Sequence, residues 1–412
     1  MFAKRAFLVA AAVLISIPLV GTSSASASTP VSKITGWFGN WASDSQIESY
    51  LDKTREAKAN RSADINRPAI FWWKFDGIRN PICTFTGGGD TCSTSGPTPW
   101  TTPKLDGLRK KLQGSNQFVY ATYTDLDSSK SGQLARLLRD PQKRNILAKR
   151  LTAWAKKAQV DGVDLDLENF AFHDGRKTWK STSKNLTRFL ENLDRRLGNN
   201  GMKLSLTVPA GVRTFNGSSP VNSTGYWVYD WAKNIQYVDQ LRVMTYDYSW
   251  NIPGPIGPNW WAADVARSAR QQVGRDSRKV FLGVPLYGRN WVVYQDGALV
   301  LSQGCPSGWK PDTAPFRSTL TATQAEAIAV REGVKPSWDP FAAEWNFDYF
   351  WKIPGTNGVT CGVKRTIWWG AGDSVQARAA VARGNRLGGV AVWELSQLSA
   401  TSLMNTGAFT KF

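Results

Sequence analysis

Asp164, Asp166 and Glu168 occupy every second position of the segment Asp161-Gly162-Val163-Asp164-Leu165-Asp166-Leu167-Glu168. Alternate side chains of a β-strand share a face. The three carboxyls therefore project together, while Val163, Leu165 and Leu167 project the other way. Successive acids would stand about 6.6 Å apart along the strand, at about 3.3 Å per residue. Three acids on an inward face are costly unless they are protonated, paired or hydrogen-bonded. Their mutual repulsion also keeps a proton on one of them to higher pH. A protonated carboxyl beside an ionised one is what glycosidic-bond cleavage requires. A divalent-metal site and a purely structural acidic network are the competing readings. The metal reading is weakened because His173 is the only histidine, and the spacing of Cys83, Cys92, Cys305 and Cys361 does not suit zinc.

Such a row of acids must be held by a rigid scaffold, and the rest of the chain supplies one. Short β-like apolar runs alternate with amphipathic helical runs, the pattern of a parallel α/β fold. Eight strands are expected: Ile34–Trp41, Ala69–Phe75, Phe118–Tyr123, Gly162–Glu168, Leu204–Pro209, Leu241–Tyr246, Val280–Leu286 and Gly389–Trp393. Leu147, Leu151, Trp154 and Ala158 fall on one helical face, as do Leu186, Phe189, Leu190, Leu193 and Leu197. The expected fold is α/β, a (β/α)8 TIM barrel. Glu168 then ends the fourth strand, at the carboxyl face where barrel active sites lie. The long interval before the eighth strand contains a helical run near Thr321–Arg331 and the aromatic run Trp345–Trp351. It reads as a rim insertion over about residues 292–365 of a single barrel domain spanning 31–412. The simplest disulfide pairs among three possible connectivities are Cys83–Cys92 and Cys305–Cys361.

The first residues have the layout of a secretory signal peptide: Lys4 and Arg5, an apolar run from Ala6 to Val20, then Ala25-Ser26-Ala27. Residues 1–27 are expected to be removed and the protein secreted to the extracellular space or cell wall. The apolar run is shorter than the roughly 20 residues of a spanning helix, and no later segment is long and apolar enough. The formal charge of +19, which losing Lys4 and Arg5 lowers by two, suits an anionic cell-wall surface. No nucleic-acid motif and no dense Lys/Arg cluster is evident, so the charge reads as spread over the surface and nucleic acid is not an expected partner. Twenty tryptophans can serve both a core and the stacking of sugar rings.

Asp161-Gly162-Val163-Asp164-Leu165-Asp166-Leu167-Glu168 resembles the D-G-x-D-x-D-x-E signature of glycoside hydrolase family 18, the chitinase family. Leu204–Ala210, Val243–Tyr248, Leu282–Trp291 and Gly388–Leu395 resemble its fifth to eighth strand motifs, in order. Met244–Pro258 resembles most closely a bacterial branch that includes enzymes acting on spore cortex or cell-wall peptidoglycan. The resemblance implies a substrate-assisted retaining mechanism on an N-acetylglucosamine polysaccharide, with no metal or organic cofactor needed. Glu168 would donate the proton and later act as base. Asp166 would orient the substrate's acetamido group, Asp164 would share a proton with Asp166, and Tyr246 would hydrogen-bond the acetamido carbonyl. Trp393 would form the floor of the subsite, Met244 and Asp247 would line it, and Tyr287 and Arg289 would bind nearby. Two features depart from the family. Phe118–Asp125 replaces its S-x-G-G third strand with larger residues, and Trp37 stands where a tyrosine is common. A non-hydrolytic sugar-binding protein on the same fold is the alternative, and the presence of Glu168 argues against it.

Overall fold

The computed structural model describes residues 32–61, 63–85, 98–126, 130, 132–211, 213–216, 219–223 and 228–399. The expected signal segment and Cys92 lie outside them. Eight parallel strands close into a barrel: Ser32–Phe38, Ala63–Lys74, Tyr120–Thr124, Gly162–Asp166, Lys203–Pro209, Gln240–Met244, Val280–Pro285 and Gly389–Trp393. Each pairs with the next in sequence, and the eighth returns to the first through Ile34↔Val390 and Trp37↔Trp393. The eight-stranded TIM barrel read from the sequence is the fold of this chain.

The outer helices are placed by local signals. Ser43 and Gln46 form a capping box at the start of Asp44–Ala59, and Asp140 caps Pro141–Ala158 with Pro141 in its first turn. Leu147, Leu151 and Ala158 turn into the core, as do Leu186, Phe189, Leu190, Leu193 and Leu197 of Asn169–Gly198. Burying each leucine contributes roughly 1.5–3 kcal/mol.

One boundary differs from expectation with consequence for the site. The fourth strand stops at Asp166, and Glu168 already has helical backbone angles (φ −110°, ψ −52°) as the cap of Asn169–Gly198. The cause is Asp125, just past the third strand. Its carboxylate accepts the amides of Glu168, Asn169 and Phe170 at 2.7, 3.0 and 2.6 Å. Those amides are orphan donors at a helix start, and their capture turns the chain out of the sheet.

Between the seventh and eighth strands lies a five-stranded antiparallel sheet. Its order is Ser318–Thr321, Tyr287–Val292, Thr360–Trp369, Glu344–Pro354, Ser337–Asp339, with helix Ala322–Arg331 packed on it. Leu320, Ala325, Phe347, Ile367 and Trp369 form its own core. The Cys305–Cys361 disulfide joins its far end. Glu344 ties this sheet to the barrel by accepting the amides of Ile256 and Gly257 at 2.7 and 2.6 Å.

The enlarged third strand is accommodated by a glycine opposite. Tyr120 and Gly162 are register partners, and a Cβ on Gly162 would sit 2.6 Å from both the Tyr120 ring and the Lys203 carbonyl oxygen. Gly162→Ala should therefore lower stability by about 1–3 kcal/mol through overpacking. An unchanged urea midpoint would show that Tyr120 does not need this space.

Candidate active site

The fourth strand delivers the two aspartates into the barrel. Asp164 has no solvent exposure. Its carboxyl accepts Trp37 Nε1 at 3.0 Å, Thr122 Oγ1 at 3.1 Å and Thr207 Oγ1 at 3.2 Å. Register explains two of these donors: Thr122 lies directly beside Asp164 on the third strand, and Thr207 beside Asp166 on the fifth. Both departures from the family pattern thus serve this acid: Trp37 donates to it, and the third strand supplies Thr122.

Behind Asp164 sits Arg242, also fully buried, 3.9 Å from its Oδ1. The guanidinium lies 5.2 Å from the ring centroids of both Trp37 and Tyr120, a cation between two aromatic rings. Its remaining donors reach Thr35 Oγ1 at 3.0 Å, Gln240 Oε1 at 2.9 Å and the Arg67 carbonyl at 2.9 Å. Burial lowers the Arg242 pKa, and Asp164 opposes that shift.

Asp166, on the same strand face, pairs with Glu168. Burial chiefly, and then the charges of Glu168, Asp164 and Asp125, push its carboxyl well above the ordinary range. Glu168 is pushed up to about 8, again by burial first and then by Asp125 and Asp247, while a hydrogen bond with Asp166 pulls it back. Asp166 and Glu168 share a hydrogen bond, while Asp164 is engaged by its three donors and by Arg242. Asp166 Oδ1 is buried and accepts no hydrogen bond. Asp125, which caps the Glu168 helix, is itself raised to about 6 by burial, against the three amides it accepts.

Tyr246 stands at the mouth of this cluster. Burial, and then the charge of Asp166, raise its pKa, so the hydroxyl remains a donor. Its ring meets Tyr287 edge-on, with centroids 6.3 Å apart. Asp247 follows with a left-handed φ of 60°, a conformation aspartate tolerates better than most residues. It is held by the Tyr287 hydroxyl and by Arg289 at 2.5 Å. Arg289 in turn lies 4.2 Å over the Trp250 ring.

Asp247, Tyr287, Arg289 and Trp393 line one cleft of about 360 Å³ with Trp41 and Trp250. Trp393 is braced by Phe71 (5.0 Å) and Trp37 (6.0 Å). Met244, also expected at the subsite, ends the sixth strand and is 9% exposed. The sequence-selected residues therefore form an acid cluster with Tyr246 and an adjoining aromatic cleft.

Several contributors escaped the sequence reading. Arg242 shares its strand face with Met244, so parity alone would have placed a cation inside the barrel. Arg378 donates to Thr245 Oγ1 at 2.8 Å and to the Gly283 carbonyl at 2.5 Å, fixing the sixth strand's end. Glu394 accepts Gly39 N at 3.0 Å and Trp41 Nε1 at 3.2 Å, which sets the Trp41 wall. Neither Arg378 nor Glu394 carries a sequence signal of its role. Among the described residues no group of three His, Cys, Asp or Glu is arranged to hold a metal ion. No described helix is long and apolar enough to cross a membrane.

The family profile described as "Glycosyl hydrolases family 18" matches residues 126–397. The uncharacterized glycosylase YvbX of Bacillus subtilis is 23% identical over 70% of this chain and 73% of its own length. The cortical fragment-lytic enzyme of Bacillus anthracis is 25% identical over 63% of this chain, and the match spans about half of that relative (52%). Among solved structures, the spore cortex-lytic enzyme SleL of Bacillus cereus superposes with a TM-score of 0.65, at 19% identity over 91% of this chain and 74% of SleL. A chitinase from Cycas revoluta in complex with (GlcNAc)3 superposes with a TM-score of 0.64, at 16% identity over 92% of this chain and 99% of its own.

Two outcomes follow from the electrostatics. Arg242→Met strands Asp164 as a buried charge and should cost about 3–5 kcal/mol, read by urea unfolding. A loss below about 1 kcal/mol would mean that Thr122, Thr207 and Trp37 suffice without the cation. Second, Asp125, Glu344 and Glu168 have folded values of about 6, 7 and 8 against ordinary values of 3.8, 4.5 and 4.5. The folded chain therefore binds more protons than the unfolded chain between about pH 4 and 8. Stability is fully present below that window and falls as pH rises through it, by up to about 1.4 kcal/mol per unit for each such group. Glu168→Gln should flatten the decline between pH 5 and 8, and a slope equal to wild type would contradict the raised Glu168 value.

Proposed function

The chain belongs to glycosyl hydrolase family 18 and is a glycosidase, and from that premise we propose that it is a secreted enzyme cleaving β-1,4 bonds of an N-acetylglucosamine-containing polysaccharide, chitin or peptidoglycan. Secretion is supported by the leader-like residues 1–27. A wall substrate is supported by the similarity to cortex-acting relatives.

The observation that carries the reading is the state of Asp166. Its Oδ1 is a buried acceptor without a donor, beside a carboxyl raised to about 8. A buried orphan acceptor costs about 1–3 kcal/mol, and an amide N–H of the substrate's 2-acetamido group would satisfy it. With Asp166 holding that N–H and the Tyr246 hydroxyl donating to the acetamido carbonyl, the carbonyl oxygen is aimed at the anomeric carbon. Glu168, protonated at neutral pH, gives its proton to the leaving glycosidic oxygen as the acetamido oxygen attacks. Asp166 then stabilises the positively charged oxazoline-like ring. Glu168, now ionised, takes a proton from water, which opens the ring with net retention. Trp393 supplies an aromatic floor for the sugar at the cleavage point, and the Asp247–Tyr287–Arg289 group fixes hydrogen-bonding positions along the cleft.

Chitin oligosaccharides and purified peptidoglycan, digested in parallel and read by mass spectrometry, test this reading. Wild type should cleave at least one of them. Glu168→Gln should lose about a thousandfold or more in kcat while retaining sugar binding, the scale expected for a general acid. Binding by wild type with no cleavage of either polymer would leave a sugar-binding protein instead. The kcat of wild type should fall as pH rises through about 8, where Glu168 loses the proton it must donate. A profile flat to pH 9.5 would remove Glu168 from that role. Trp393→Ala should weaken both KM and kcat, and unchanged kinetics would exclude Trp393 from the subsite.

A further inference from the structure

One helix of the barrel wall carries a row of exposed cations. On Pro141–Ala158, Lys143, Arg150 and Lys157 recur every seven residues, close to two helical turns, and so form a single stripe. Lys149 and Lys156 run beside it, and Arg139 extends it at the end of the preceding helix. All six are exposed. The one acid at the helix start, Asp140, is taken by Lys143 at 3.5 Å and by the amides of Gln142 and Lys143. The other five cations have no ion pair among the described residues.

The neighbouring helix Asn169–Gly198 adds charge of the same sign. Arg196 reaches Asn145 Oδ1 at 2.6 Å, across the helix–helix seam, and Arg188 lies close enough to Arg144 to lower its pKa, after the larger effect of burial. Of that helix's late acids, Asp194 faces Asp239, Lys203 and Lys279 on the opposite flank, and Glu191 is exposed. From Lys143 to Lys157 the stripe is about 21 Å long at 1.5 Å per residue. The helix connects the third and fourth barrel strands. Its first turn is therefore near the catalytic rim and its last turn near the barrel base, on the outer wall and outside the cleft.

We propose that this stripe docks the enzyme on a flexible anionic wall polymer of repeating phosphodiester groups, holding the cleft beside its polysaccharide. The proposal rests on the wall-acting reading above. Charge complementarity carries the choice of partner: a row of exposed cations, five of the six without an ion pair among the described residues, recruits a polyanion and releases its counterions. A nucleic acid fits less well. The helix's one large exposed apolar residue is Ile146, and Trp154 is packed against Trp73. Bases would find no ring to stack on.

The test is retention of the full chain on immobilised long-chain inorganic polyphosphate, with duplex and single-stranded DNA of equal charge in parallel. Wild type should bind polyphosphate at about 50 mM salt and be released by about 500 mM, since exposed charges are screened. The variant K149Q/R150Q/K156Q/K157Q should lose about tenfold or more in affinity. A control, R275Q/K310Q/K335Q/K352Q, neutralises four exposed cations elsewhere and should lose less than about twofold. Both variants should cleave soluble chitin oligosaccharides at the wild-type rate. Equal losses in the two variants would overturn the proposal, because the binding would then follow net charge alone. Tighter binding to either DNA than to polyphosphate would overturn the choice of partner. The cleavage assay separates the two readings: its failure in all three proteins counts against the hydrolase, and failure of wild type to bind polyphosphate with cleavage intact counts against the docking surface alone.

Discussion

The buried Asp164–Arg242 contact is the constraint around which the interior of this barrel is arranged. A carboxylate on an inward strand face is tolerated only with donors and a counter-charge, because removing an ion from water costs several kcal/mol. Here the first strand gives Trp37, the third Thr122, the fifth Thr207 and the sixth Arg242, so four strands converge on one carboxyl. The guanidinium is itself buried and is made acceptable by two flanking rings, Trp37 and Tyr120. Tyr120 in turn fits only because Gly162 lacks a Cβ. A change at any of these positions is transmitted to the acid.

That arrangement divides the acidic row into two different environments. Asp164 receives donors, whereas Asp166 and Glu168 receive burial and like charge. Desolvation penalises the charged form and donors favour it, so the row separates into one well-partnered group and a proton-bearing pair. Such a separation is what lets neighbouring carboxyls take different roles at one pH. The capping carboxylate Asp125 belongs to the same design. It fixes the start of the helix after the fourth strand, and so sets where the Glu168 side chain emerges, while its charge helps keep Glu168 protonated.

The antiparallel sheet between the last two strands contributes a wall rather than chemistry. It carries Tyr287 and Arg289, which hold Asp247, and Glu344, which fixes the loop after the sixth strand. Aromatic side chains from this loop, from the first strand's exit and from the eighth strand then face one cleft.

The sequence alone determined the barrel, the eight strands in order and the identity of the acids, because strand alternation and helical spacing are local properties of the chain. Asp164 and Asp166 project into the barrel as their spacing required, with Leu165 turned to the core. Strand periodicity, however, carried Glu168 two residues too far: it lies in a helical cap, and only the long-range contact from Asp125 ended the strand. Arg242 was legible in principle from its parity with Met244, but its partner was not, since Asp164 is 78 positions away and meets it only across a closed barrel. Read along the chain, the cations formed no dense cluster and the charge was expected to be spread over the surface. Folding the helix and burying Leu147 and Leu151 gathered those of Pro141–Ala158 on one exposed face. Which carboxyl keeps the proton was likewise decided by tertiary structure, because burial and donor count are properties of the assembled site and not of the strand that carries the acids.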